Sequence, residues 1–124
     1  RNPDVVIRYY EMHLLGVAGF QPELGECVVS HEEVKPQDQY FSYALGGVVS
    51  PTYVHLSDST VPISLNALKL LRHIQRSPFA QMERLQVPAH IQHEAEGVML
   101  GYITYLLERK LQSVAFIRQL RRLA

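Results

Sequence analysis

The sequence predicts a mainly α domain, a small helical bundle that carries a short β-hairpin or knuckle near its middle. Three observations predict it. Apolar residues recur at three-to-four spacing in residues 4–15, 65–76 and 88–111. Two short runs, "YFSYA" and "GGVVS", are rich in β-branched and aromatic residues and meet at Leu45-Gly46-Gly47. With 124 residues, 47% of them apolar and 19% charged, the chain can enclose one core and has an ordinary globular composition.

The first helix reads "DVVIRYYEMHLL", with Tyr9, Met12 and Leu15 on one face and Asp4 after Pro3 as its N-cap. Gly16, Gly19 and Pro22 stop it. Residues 23–39 are polar and acidic, contain Pro36, and read as loop; the hairpin follows, and residues 54–62 read as a second loop. Ser64 caps "LNALKLLRHIQRS", where Ala67, Leu70, Leu71 and Ile74 fall at i, i+3, i+4 and i+7. Ser77-Pro78 ends that helix. Pro88 opens a long helix to about Leu111, apolar around much of its circumference, which marks it as central and buried. Gly97 and Gly101 within it suggest a close helix crossing. Ser113 caps a final helix, "VAFIRQLRRL", with Val114, Ile117 and Leu120 inward. Tyr102, Leu106 and Phe116 are therefore expected in the core.

Charge is divided along the chain. Residues 1–60 hold eight acidic and three basic side chains, and residues 61–124 hold four acidic and nine basic, so the halves are −5 and +5. Either the basic half attracts phosphate or an acidic peptide, or the two halves fold together and neutralise each other. Lys69, Arg72, His73 and Arg76 form a cationic row at i, i+3, i+4 and i+7. That row can track a phosphate backbone or clamp a carboxylate, or it is a solvated helix face. Arg109, Lys110, Arg118, Arg121 and Arg122 form a second cluster with no acid between them. Helix C-terminal dipoles explain one or two of these cations better than all five.

Metal chemistry and catalysis find little support. Cys27, His31 and His55 are the one plausible ligand trio, short of the four that closed zinc sites use. His90 and His93 lack the carboxylate-flanked H-E-x-x-H pattern. No nucleophile-elbow or phosphate-loop motif occurs, so no enzyme and no cofactor are expected. No apolar run is long enough to span a bilayer. The single cysteine excludes an internal disulfide and favours a reducing compartment. The start, Arg1-Asn2-Pro3-Asp4 without Met, reads as an excision point.

Four stretches in order resemble one family, the bacterial recombination mediator RecO, in its C-terminal helical domain. They are "YYEMHLLGVAGFQPELGECVVS" at 9–30, "FSYALGGVVSP" at 41–51, "LNALKLLRHIQRSPF" at 65–79 and "YITYLLERKLQSVAFIRQL" at 102–120. The resemblance makes residues 1–124 one helical domain with a knuckle inserted at about 23–62, and places no counterpart here of the family's N-terminal OB-fold. Many RecO proteins hold zinc through two C-x-x-C pairs, whose positions fall here on Cys27, Ser30, Ser50 and Tyr53. Three ligands are replaced, so the knuckle reads as a degenerate zinc site, held instead by Phe41, Tyr43, Val48, Val49 and Tyr53.

The resemblance also implies partners. RecO proteins bind RecR, engage the acidic, Phe-ended tail of single-stranded DNA-binding protein, and anneal DNA so that RecA is loaded. Single-stranded DNA binding is expected to be weak without the OB-fold. Arg8 aligns with a basic position facing the tail pocket, and Met12, Leu15 and Leu70 are its expected apolar walls. The expected location is cytoplasmic and nucleoid-associated. The alternative is a non-catalytic interaction scaffold without DNA binding.

Overall fold

A computed structural model describes residues 3–57 and 59–123; Arg1 and Asn2, which carry half of the excision reading, lie outside them. The order is α1 (Pro3–Ala18), β1 (Gln39–Ser42), β2 (Gly47–Val49), β3 (Thr60–Ile63), α2 (Leu65–Arg76), α3 (Phe79–Met82) and α4 (Ala89–Leu123). The chain is mainly α with a small antiparallel sheet, in agreement with the sequence.

Local chemistry sets the helix ends. Gly19 adopts φ +86° and lets the Phe20 amide reach back to the Leu15 carbonyl at 2.7 Å, closing the exposed end of α1. At α2 the Ser64 hydroxyl accepts from the Ala67 amide at 3.1 Å, as an N-cap should. Asp38 accepts from the Leu65 amide at 2.9 Å, and Glu94 of α4 accepts both the Ser64 amide and its hydroxyl at 2.7 Å. Two carboxylates therefore sit at the positive end of α2, which ties the sheet and α4 to that helix.

The sheet has the order β2-β1-β3, all antiparallel. Its third strand falls in the stretch expected as loop 54–62. Pro62 hid it: proline cannot donate to a ladder, but β3 is an edge strand, and Pro62 pairs with Tyr40 at no cost to the sheet. One apolar core joins the layers. Val5, Met12 and Leu15 of α1 meet Phe41 and Val48 of the sheet, Ala67, Leu68, Leu71 and Ile74 of α2, and Ala95, Met99 and Tyr102 of α4.

The last part of the chain corrects the sequence reading. Residues 89–123 form one continuous helix, and Ser113 is not a cap. Its hydroxyl donates to the Arg109 carbonyl one turn back, which satisfies it inside the helix. Val114, Phe116, Ile117 and Leu120 are exposed, because no other element among the described residues covers them. Tyr102 is buried as expected, whereas Leu106 is only half-buried. Gly101 does mark a close approach, but to the turn between β1 and β2 and not to a helix: a Cβ there would collide with the Tyr43 ring. Gly97 faces open space, with nothing within 4 Å of where its Cβ would lie. Among the described residues no helix is long and apolar enough to cross a membrane.

Candidate functional site

An apolar concavity lies between the end of α1 and the middle of α4. Leu15, Ala18 and Phe20 form one wall, and Ile103, Leu106 and Leu107 the other, around about 520 Å³. Arg109, Lys110 and Ser113 close one end. The helical period explains the α4 wall: residues 103, 106, 107, 110 and 113 recur along one side of the helix, just beyond the point where Tyr102 leaves the core. The α1 wall depends on the helix stop at Gly19, which turns Phe20 back over the last helical turn. Tyr102 fixes that turn by donating its hydroxyl to the Phe20 carbonyl at 2.8 Å. Burial raises the Tyr102 pKa, so the hydroxyl keeps the proton it donates. Phe20 and Leu107 remain about half exposed, at 50% and 57%, so the groove presents apolar surface to solvent beside two cations.

The sequence-predicted cations divide into engaged and free groups. Arg8 is 6% exposed and pairs with Glu11 at 2.5 Å through Nε and at 3.1 Å through Nη2, with Glu96 at 3.3 Å. Two carboxylates neutralise it at the opposite end of α1 from the groove. The walls expected around it are also elsewhere. Met12 and Leu70 are buried in the core, and Leu15 alone reaches the groove. Arg72 donates Nε to the Leu24 carbonyl at 2.8 Å, and Gln75 donates to the Pro22 carbonyl at 2.9 Å. Together they hold the loop after α1 against α2. Lys69, His73 and Arg76 stay exposed, so the row on α2 is interrupted at Arg72. Arg109, Lys110, Arg118, Arg121 and Arg122 are all exposed along α4, but only the first two border the groove.

The knuckle keeps the backbone of a ligand loop around its one remaining thiol. Cys27 is 1% exposed, and its sulfur accepts the Ser50 amide at 3.4 Å. The Cys27 carbonyl accepts the His31 amide at 2.8 Å, with His31 at φ +63°. Burial pushes the thiol pKa up, but the Ser30 hydroxyl and the Ser30, Ser50 and Val29 amides together outweigh it, and the value falls to about 7. Tyr53 points elsewhere, its hydroxyl 3.4 Å from Glu32. Phe41, Val48 and Val49 are fully buried beneath the loop. Among the described residues no three His, Cys, Asp or Glu side chains converge as metal ligands would. A structural zinc needs four nitrogen or sulfur donors, and Ser30, Ser50 and Tyr53 supply none, so the residues present do not fit the ion that the resemblance implied.

The sequence missed the groove itself. Its two walls are 83 or more residues apart in the chain, and only the Gly19 stop and the broad apolar face of α4 hinted at them.

Comparisons with known proteins identify relatives of this chain. The chain is 32% identical over 119 residues to a DNA repair protein RecO of Dehalococcoides mccartyi strain 195, covering 96% of this chain and 47% of that protein. It is 32% identical to a DNA repair protein RecO of Roseiflexus sp. strain RS-1, covering 97% of this chain and 42% of that protein. Symbiobacterium thermophilum RecO is 28% identical, with 98% and 49% covered. The chain thus spans about half the length of the curated relatives it matches. No solved structure matches significantly. The family described as "Recombination protein O C terminal" matches residues 1–115, nearly the whole of the chain, and this chain belongs to that family.

Proposed function

We propose that this chain is the C-terminal module of a recombination mediator in DNA repair, and that it works by binding and not by catalysis. In this reading the α1–α4 groove receives the acidic, aromatic-ended tail of single-stranded DNA-binding protein. RecR and single-stranded DNA are the mediator's other partners, and the outcome is RecA loading. The groove is the observation that carries the reading. It joins an apolar pocket, the right setting for a terminal aromatic ring, to Arg109 and Lys110, which attract carboxylates. Arg8 is ill suited to the same task, because Glu11 and Glu96 already occupy its donors.

A second reading, an interaction scaffold with little DNA affinity, is favoured by one observation. In the cationic row on α2 Lys69, His73 and Arg76 are exposed, while the half-buried Arg72 is bound through Nε to the Leu24 carbonyl. Both readings share the groove and differ only in the contribution of DNA.

Calorimetric titration with a short acidic peptide ending in Phe tests the groove. The double substitution Arg109→Glu and Lys110→Glu should weaken binding by about tenfold or more, as should removal of the terminal Phe. Lys69→Glu should leave the affinity unchanged. Equal losses from Lys69→Glu and from the groove variant would contradict the assignment.

A further inference from the structure

A second concavity, of about 460 Å³, lies where the sheet meets the start of α2. Asp38, Gln39, Ser64 and Glu94 are among the residues that line it, and Lys, Arg and His are not. One strand pair and three hydrogen bonds draw these residues together. Gln39 of β1 stands opposite Ile63 of β3. Asp38 accepts the Leu65 amide at 2.9 Å, and Glu94 accepts the Ser64 amide and hydroxyl, both at 2.7 Å. Oxygen-bearing side chains from β1, from the residue before it and from α4 therefore meet at the corner formed by Ile63, Ser64 and Leu65.

Helix capping accounts for the two carboxylates but not for Gln39. That side chain is 1% exposed, and its Nε2 donates to the Lys35 carbonyl at 2.9 Å. Its Oε1 has no hydrogen-bond partner among the described residues. Turning the amide over would set oxygen against oxygen at Lys35, so the bare acceptor is fixed in place. A buried acceptor without a donor is costly, and a cation relieves that cost as a donor does. Charge calls for the same ligand. The N-terminus of α2 offers roughly half a positive charge, against two full carboxylates. Hydrogen bonds from Ser64 and Leu65 orient those carboxylates without neutralising them, and each oxygen keeps a further lone pair. Among the described residues neither Asp38 nor Glu94 takes part in an ion pair.

We propose that this corner binds a calcium ion through Gln39 Oε1 and the Asp38 and Glu94 carboxylates, with waters completing its shell. Every donor is oxygen, which suits a hard cation and not zinc or copper. Calcium accepts irregular geometry and neutral amide oxygens, whereas magnesium demands a near-ideal octahedron. Such an ion clamps β1, β3 and α4 to the start of α2, so its binding is read as stability of the fold. The corner shares no residue with the α1–α4 groove, and its behaviour is independent of what that groove binds.

Thermal unfolding and calorimetric titration of the intact chain with calcium chloride test the proposal, with sodium chloride at matched ionic strength as the control for screening. The unfolding midpoint should rise saturably, with a dissociation constant on the order of 0.1–1 mM, because only two ligands are charged. Asp38→Asn keeps an acceptor for the Leu65 amide and removes the charge, which separates the ion from the helix cap. It should weaken calcium binding about tenfold or more and leave the calcium-free midpoint nearly unchanged. Gln39→Met removes the bare acceptor at similar volume and should abolish the calcium response while circular dichroism shows the chain folded. Glu108→Gln, exposed on α4, should respond as the parent does. A midpoint that does not move up to about 10 mM calcium would overturn the proposal and leave Gln39 Oε1 to a buried water. Equal calcium responses in the parent and in Asp38→Asn would overturn it as well.

Discussion

Gly97 and Gly101 lie about one turn apart on α4, and their surroundings make opposite predictions. A methyl group at position 101 meets the Tyr43 ring, which packs against Phe41, Tyr102 and Tyr105 and so has little room to move. Gly101→Ala should therefore destabilise the fold by about 1–3 kcal/mol from overpacking, against a helix-propensity gain of about 1 kcal/mol. Gly97→Ala meets nothing and should stabilise by up to about 1 kcal/mol. Urea midpoints of the two variants should move in opposite directions, and movement in the same direction would show that Tyr43 does not seal α4. Cys27 makes a second residue-scale prediction. Its pKa is lowered from 9.0 unfolded to about 7 folded, so the folded state favours the thiolate. The stability it contributes is fully present above pH 9 and is lost as pH falls through 7. The midpoint difference between the parent chain and Cys27→Ser should thus widen between pH 6 and pH 9, and a constant difference would mean that the amides do not stabilise a thiolate.

At the scale of elements, α4 is two things in one helix. Its first half packs in the core and its second half projects beyond α1. Met99→Ala should cost about 2–5 kcal/mol, because Met99 is fully buried, while Phe116→Ser, at 60% exposure, should stay within about 0.5 kcal/mol. Similar losses from both would mean that the distal half is covered by the rest of this chain. The sequence made α2 and the end of α1 legible because local signals and periodicity agreed there, through Ser64, Gly19 and Pro78, whereas Asp4, expected as the N-cap of α1, lies inside a helix that begins at Pro3. It misled at Ser113 and at Pro62 for one reason. A serine inside a helix and a proline on an edge strand satisfy their backbone needs through partners that composition does not reveal. The all-round apolar surface of α4 was legible too, but its meaning was not, since a helix apolar on every side can be buried or can wait for something to cover it.

At the scale of the whole molecule, the two charged halves neither cancel nor stay wholly free. Arg8 is bound to Glu11 and Glu96 and Arg72 to the Leu24 carbonyl, which consumes cations that the sequence offered as binding groups. The free cations concentrate along the distal half of α4, beside apolar surface, which is the combination the proposed peptide recognition needs. No local signal could have located the groove, because Phe20 and Leu106 come together only once Gly19 has turned the chain and Tyr102 has caught it. The most direct test is a map of backbone amide chemical-shift changes as an acidic peptide ending in Phe is titrated into the labelled chain. The account predicts that the largest changes fall on Leu15, Ala18, Phe20, Ile103 and Leu106, with Arg109 and Lys110 at the edge. Largest changes at Arg8 and its neighbours on α1, or along Lys69, His73 and Arg76, with a silent groove, would contradict it.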